Sequence, residues 1–86
     1  MNLNNVRSLQ VGQITWAKWG TRIWSPYTKM EHHGFLRVTD AFIVIAVDSR
    51  NSYSTPHIIG TSSEGVFGVV EWGALALNYS ELPDLL

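Results

Sequence analysis

An all-β fold is the expectation for this chain, and three observations carry it. Apolar residues come in short alternating or β-branched blocks, most clearly Phe42-Ile43-Val44-Ile45-Ala46-Val47. The i, i+3, i+4 spacing of an amphipathic helix is hard to find before the C-terminus. Clusters of Gly, Pro, Asn and Ser separate the blocks at short intervals, as turns between strands do. With 86 residues, 45% of them hydrophobic, the chain is too apolar for disorder and too short for a second core. A single domain over 1–86 follows, divided into an N-terminal arm at 1–8, a barrel at 9–79 and an apolar tail at 80–86.

The first expected strand is 9–16, and an aromatic stretch broken by Gly12, Gly20 and Pro26 follows it. Residues 28–34 read as a loop whose His32-His33-Gly34 end suits a turn. The block at 41–47 is apolar at every position, which marks a central strand covered on both faces. A polar loop leads to a short strand at 57–61. Ser62-Ser63-Glu64-Gly65 then forms a tight turn, with Gly65 supplying a positive φ. Its hairpin partner is 66–71. Trp72-Gly73-Ala74-Leu75 suits one 3₁₀ turn, and a last short strand ends near Tyr79. Pro83 limits the tail to one helical turn at most. The expected core is Ile14, Phe42, Val44, Ile45, Val47, Ile58, Ile59, Val66, Val69, Val70 and Leu75, with some of them facing an interface rather than the barrel.

Five short strands, a long first loop at 17–40, a tight hairpin and a helical turn before the closing strand resemble an SH3-like small β-barrel. The run Gly65-Val66-Phe67-Gly68-Val69-Val70 looks most like the bacterial and phage versions of that barrel. Trp16-Ala17-Lys18-Trp19 stands where the eukaryotic domains carry their ALYDY-type run. Tyr53 and His57 stand where those domains carry a Trp pair, and no Pro lies near Gly73. The resemblance implies a five-stranded barrel with an irregular apolar C-terminal tail, and a binding rather than a catalytic role.

The residues themselves remove much chemistry. No cysteine is present, which excludes disulfides, thiolate metal sites and thiol catalysis. Six Lys and Arg against seven Asp and Glu provide no excess to neutralise many phosphates, so a nucleic-acid partner is disfavoured. His32, His33 and His57, with Ser25, Ser52, Ser54, Ser62 or Ser63 and with Asp40 or Asp48, lack the spacing of a nucleophile and its base. Glu31-His32-His33 with His57 lacks metal-ligand spacing, because adjacent residues of an extended chain point to opposite sides. Neither cofactor nor metal is expected. No run of 18 apolar residues spans a membrane. A polar start without a signal-peptide pattern points to synthesis inside the cell.

The aromatic stretch is the most informative feature. Four Trp occur in the chain, and Trp16, Trp19 and Trp24 fall close together. Trp16 and Trp72 suit the plugged ends of a small barrel. Trp19, Trp24 and Tyr27 in the long loop, and Leu82, Leu85 and Leu86 in the tail, exceed what so small a core can hold and are expected to contact another polypeptide. The expected function is a non-enzymatic subunit of a larger assembly, such as a phage capsid-decoration or tail component, with the virion as its destination. Two alternatives are an SH3-like adaptor or inhibitor that binds a host or regulatory protein through the aromatic loop, and a small barrel for single-stranded nucleic acid, in which Lys18, Arg22 and Lys29 would interleave with the aromatic rings.

Overall fold

A computed structural model describes residues 3–25, 32–48 and 57–82. Within them, one short helix, α1 (Leu3–Arg7), precedes seven strands: β1 (Ile14–Ala17), β2 (Thr21–Trp24), β3 (His32–Leu36), β4 (Ala41–Asp48), β5 (His57–Ser62), β6 (Phe67–Glu71) and β7 (Leu75–Ala76). All pair antiparallel in one curled sheet of order β3-β2-β6-β5-β4-β1-β7. The fold is all-β, with helix confined to α1 and two 3₁₀ turns, Trp72–Ala74 and Tyr79–Glu81.

The expected five strands become seven, because 17–40 is not a long loop. It contains the β2–β3 hairpin, in which Thr21 faces Leu36, Arg22 faces Phe35 and Ile23 faces Gly34. His32-His33-Gly34 therefore belongs to a strand rather than a turn. Ile23 and Leu36 are fully buried, and their burial holds down a strand pair too short to stand alone. The expected strand at 9–16 shrinks to β1, since Gly12 turns the chain at φ 88° and the Gln13 amide donates to the Gln10 carbonyl. Among the described residues the end strands β3 and β7 are not neighbours, so the expected closed barrel is an open, curled sheet.

The core gathers Ala17, Ile23, Leu36, Phe42, Val44, Ile58, Val70, Ala74 and Leu75, with Leu9, Val66 and Trp72 packed against it. Val6, in the arm expected to be polar, is fully buried on α1. Of the residues expected in the core or facing an interface, Ile14 and Ile45 are exposed, and Val47 and Ile59 are half-buried. Strand β4 is thus not covered on both faces. Alternation sends Phe42 and Val44 in and Ile43 and Ile45 out, and the register shift with β5 between Val44 and Ala46 leaves Ala46 exposed beside Ile45 before Val47 comes opposite buried Ile58.

The curl of the sheet depends on missing side chains. Gly60 and Gly68 face each other across β5 and β6. A Cβ on Gly68 would sit 2.5 Å from the Trp24 carbonyl oxygen and 2.5 Å from Ile23 Cγ2, and one on Gly60 would meet the Ile43 carbonyl and come 2.8 Å from the Phe42 ring. Glycine here is what lets the neighbouring strands fold so close.

Two turns hold the strands in register. Gly65 has φ 85°, as expected; its amide donates to the Ser62 carbonyl (3.0 Å) and the Ser62 amide to the Val66 carbonyl (2.9 Å). Between Arg37 and Asp40 the left-handed position is filled instead by Thr39, φ 74°. Its amide donates to the Ala17 carbonyl at 2.8 Å, and the Asp40 carboxylate accepts from the Arg37 amide at 2.9 Å.

Candidate functional site

The site builds outward from the end of β1. The Ala17 amide donates to the Asp40 carbonyl (2.9 Å) and the Lys18 amide to the Ala74 carbonyl (2.8 Å), so the turn at 18–20 is tied to both neighbours of β1. The chain then enters β2, where alternation sends Ile23 inward and Arg22 to the surface. Arg22 lies 5.9 Å from the Trp24 ring and the Lys18 ammonium 5.3 Å from the Trp19 ring. Each such contact contributes about 0.5–1 kcal/mol at an exposed site, by attraction of the cation to the ring face. Across the hairpin from Arg22, Phe35 lays its ring against Gly20, where an added Cβ would be 2.9 Å from Cζ.

Two cation–ring pairs, Lys18 with Trp19 in the turn before β2 and Arg22 with Trp24 along β2, thus follow one another in the chain, and Phe35 stands opposite Arg22. Trp19 is 53% exposed and Phe35 58%; Trp24 is half-buried. Phe35 was missing from the sequence-based reading. The alternation Gly34-Phe35-Leu36 signals it once β3 is known to be a strand with Leu36 inward.

The tail is arranged differently. Tyr79 meets Trp16 edge to face, with centroids 5.9 Å apart and planes at 88°. Glu81 Oε2 accepts from the Leu77 amide (2.9 Å) and the Asn78 amide (3.3 Å). The Asn78 contact first, then that from Leu77, holds the Glu81 carboxyl below its ordinary range. The Leu82 amide donates to the Tyr79 carbonyl at 3.2 Å, and Leu82 is half-buried. Of the six residues expected to touch a partner, Trp19 lies in the turn before β2, Trp24 ends β2, and Leu82 lies apart from them in sequence, after β7. Tyr27, Leu85 and Leu86 lie outside the described residues.

Two of the groups considered for catalysis, Ser62 and Asp40, serve the backbone. Ser62 Oγ accepts from the Glu64 and Val66 amides, each at 3.2 Å, inside the β5–β6 turn. Asp40 closes the Arg37–Asp40 turn. His57 stands opposite Glu71 at the end of the β5–β6 pair. Among the described residues no three His, Asp or Glu side chains are grouped to hold a metal ion, and no helix is long and apolar enough to cross a membrane. No protein-family model matches the chain, and neither curated proteins nor solved structures match it.

Proposed function

We propose that the chain is a non-enzymatic subunit of a larger assembly, of the kind found in phage virions, and that the β2–β3 hairpin is its partner-binding surface. The observation that carries this reading is the exposure of Trp19 and Phe35 beside Lys18 and Arg22 on a hairpin anchored from below by Ile23 and Leu36. Large rigid rings on a fixed base anchor protein interfaces at low entropic cost. Lys18 and Arg22 beside these rings fit an apolar partner surface with an acidic rim. An SH3-like relationship belongs to the same proposal. The order β7-β1-β4-β5-β6 supports it, because the closing strand lies beside the first and β2–β3 takes the place of the long first loop.

The test is sedimentation of the tagged chain from the cells that make it. We expect it to travel with a particle far larger than one chain, and the Trp19→Ser/Phe35→Ser double variant to stay behind while keeping its thermal melt. Migration of the unaltered chain as a free small protein overturns the reading. The two cation–ring contacts favour one second reading, a stacking surface for single-stranded nucleic acid. Salt-sensitive binding of an oligonucleotide, lost in the same double variant, would put that reading first.

A further inference from the structure

Three of the described residues hold a left-handed backbone: Gly12 at φ 88°, Gly65 at φ 85° and Thr39 at φ 74°. Glycine takes that region freely, whereas a β-branched side chain opposes it. Apart from chain neighbours, nothing lies within 4 Å of where a Cβ would stand on Gly12 or Gly65, so both glycine turns are open. Thr39 is half-buried. It takes the third place of the turn at 37–40, which the Asp40 amide closes on the Arg37 carbonyl at 3.0 Å. A turn with positive φ at that place favours Gly or Asn. Among the described residues, the strained side chain is therefore kept where the turn is held against a neighbour.

That neighbour is the end of β1. The Thr39 amide donates to the Ala17 carbonyl at 2.8 Å, and the Ala17 amide donates to the Asp40 carbonyl at 2.9 Å. From its other end the turn is held shut by the Asp40 carboxylate, which accepts from the Arg37 amide at 2.9 Å. Ala17 itself is fully buried. Lys18 follows it, with its amide bound to the Ala74 carbonyl at 2.8 Å. Trp19 comes next, 53% exposed, with the Lys18 ammonium over its ring. The exposed indole thus stands two residues beyond a position that the strained turn grips by both its amide and its carbonyl.

We propose that Thr39 is a positioning residue for Trp19: its stiff turn fixes the backbone from which the indole is presented to a partner. This rests on the reading of Trp19 as part of a partner-binding surface, and it names the residue that orders that part in advance. A branched Cβ restricts χ1 and, at positive φ, leaves the turn few alternative backbone states. The paired bonds to Ala17 pass that restriction on to Lys18 and Trp19. Glycine at position 39 would relieve the strain and widen the states open to the turn. Strain of this kind persists where the surrounding structure over-determines it, and it gathers at ligand clamps. An anchor ordered before contact loses less entropy on binding.

Nitrogen-15 relaxation of the purified chain, read beside thermal melts, tests the proposal. The Lys18 and Trp19 amides should have order parameters of about 0.85 in the unaltered chain and fall toward about 0.6 in Thr39→Gly. Thr39→Gly should nonetheless melt at a higher temperature, a combination that a merely structural role does not produce. Thr39→Val, which restores the branched Cβ without the hydroxyl, should keep both amides as ordered as in the unaltered chain. In sedimentation from cells, Thr39→Gly should weaken association with the particle by about two- to tenfold. Unchanged amides in Thr39→Gly overturn the proposal, and so does a lower melt with loosening throughout the chain. Loosening by Thr39→Val equal to that by glycine overturns it too, as does association that stays unchanged despite loosened amides. Failure of the assembly reading looks different: the unaltered chain then sediments free, and the amide measurements still decide for or against Thr39.

Discussion

Phe42 and Val44 point into the curl of the sheet and are fully or almost fully buried, whereas Ile45, the very next residue, and Ile14 and Phe67 on flanking strands remain open to solvent. Both sets are apolar strand formers, and both sit on well-paired strands. What separates them is curvature. The Gly60–Gly68 pair lets the sheet fold over its inner face, and strand alternation places the isoleucine after Val44 on the other side. The inner face therefore supports the fold, and the outer face leaves Ile14, Ile45 and Phe67 exposed.

The contrast gives its largest effect at Phe42. Phe42→Ala removes a fully buried ring beneath Gly60 and should cost about 3–5 kcal/mol, enough to unfold much of so small a domain. Chemical denaturation followed by tryptophan fluorescence measures it. A loss under about 1 kcal/mol would place the core elsewhere.

The sharpest version compares neighbours. Val44→Ala should cost about 2 kcal/mol, and Ile45→Ala less than about 1 kcal/mol in the monomer, although it deletes more carbon. Equal losses at a concentration where the chain is monomeric would erase the distinction between the faces.

The two left-handed turn positions give a smaller, signed effect. Gly65→Val should destabilise by about 1–2 kcal/mol, because a β-branched residue opposes positive φ, while Glu64→Ala next to it should be nearly neutral. Thr39→Gly should work in the opposite direction, raising stability by about 0.5–1 kcal/mol once glycine's greater unfolded freedom is subtracted. A loss at Thr39→Gly would mean that the threonine side chain contributes more than its backbone strain removes.

The smallest effect lies at Glu81. Its carboxyl titrates below the ordinary value of 4.5 because it accepts from the Asn78 and Leu77 amides. That contribution is complete above the ordinary value and is lost as falling pH protonates the folded chain. Thermal melts at pH 7 and in acid should therefore show a difference between the unaltered chain and Glu81→Gln that shrinks toward zero in acid. A difference that persists unchanged would separate the residue's effect from its charge.

Local chemistry was legible residue by residue. The β5–β6 hairpin could be read from Ser62-Ser63-Glu64-Gly65, the 3₁₀ turn from Trp72-Gly73-Ala74 and the strand β4 from its β-branched run, because turns and strand preference depend on neighbours in the chain. The aromatic residues Trp19 and Trp24 were likewise singled out by composition alone. Other features needed the folded sheet. Thr21-Arg22-Ile23-Trp24 is too short to declare a strand until Ile23 and Leu36 find the core from distant parts of the chain. Val6 reads as part of a polar arm until α1 folds onto that core. Phe35 becomes a candidate contact only when β3 fixes which way its neighbours face. Sequence determined that this protein is made of strands, where its tight turns lie and that it holds more large apolar groups than a small core requires. Tertiary structure alone decided which of those groups are inside, because a run that is apolar at every position does not say which of its two alternating faces is covered, and that is set by the curl that the facing glycines permit and by the distant strands that close over it.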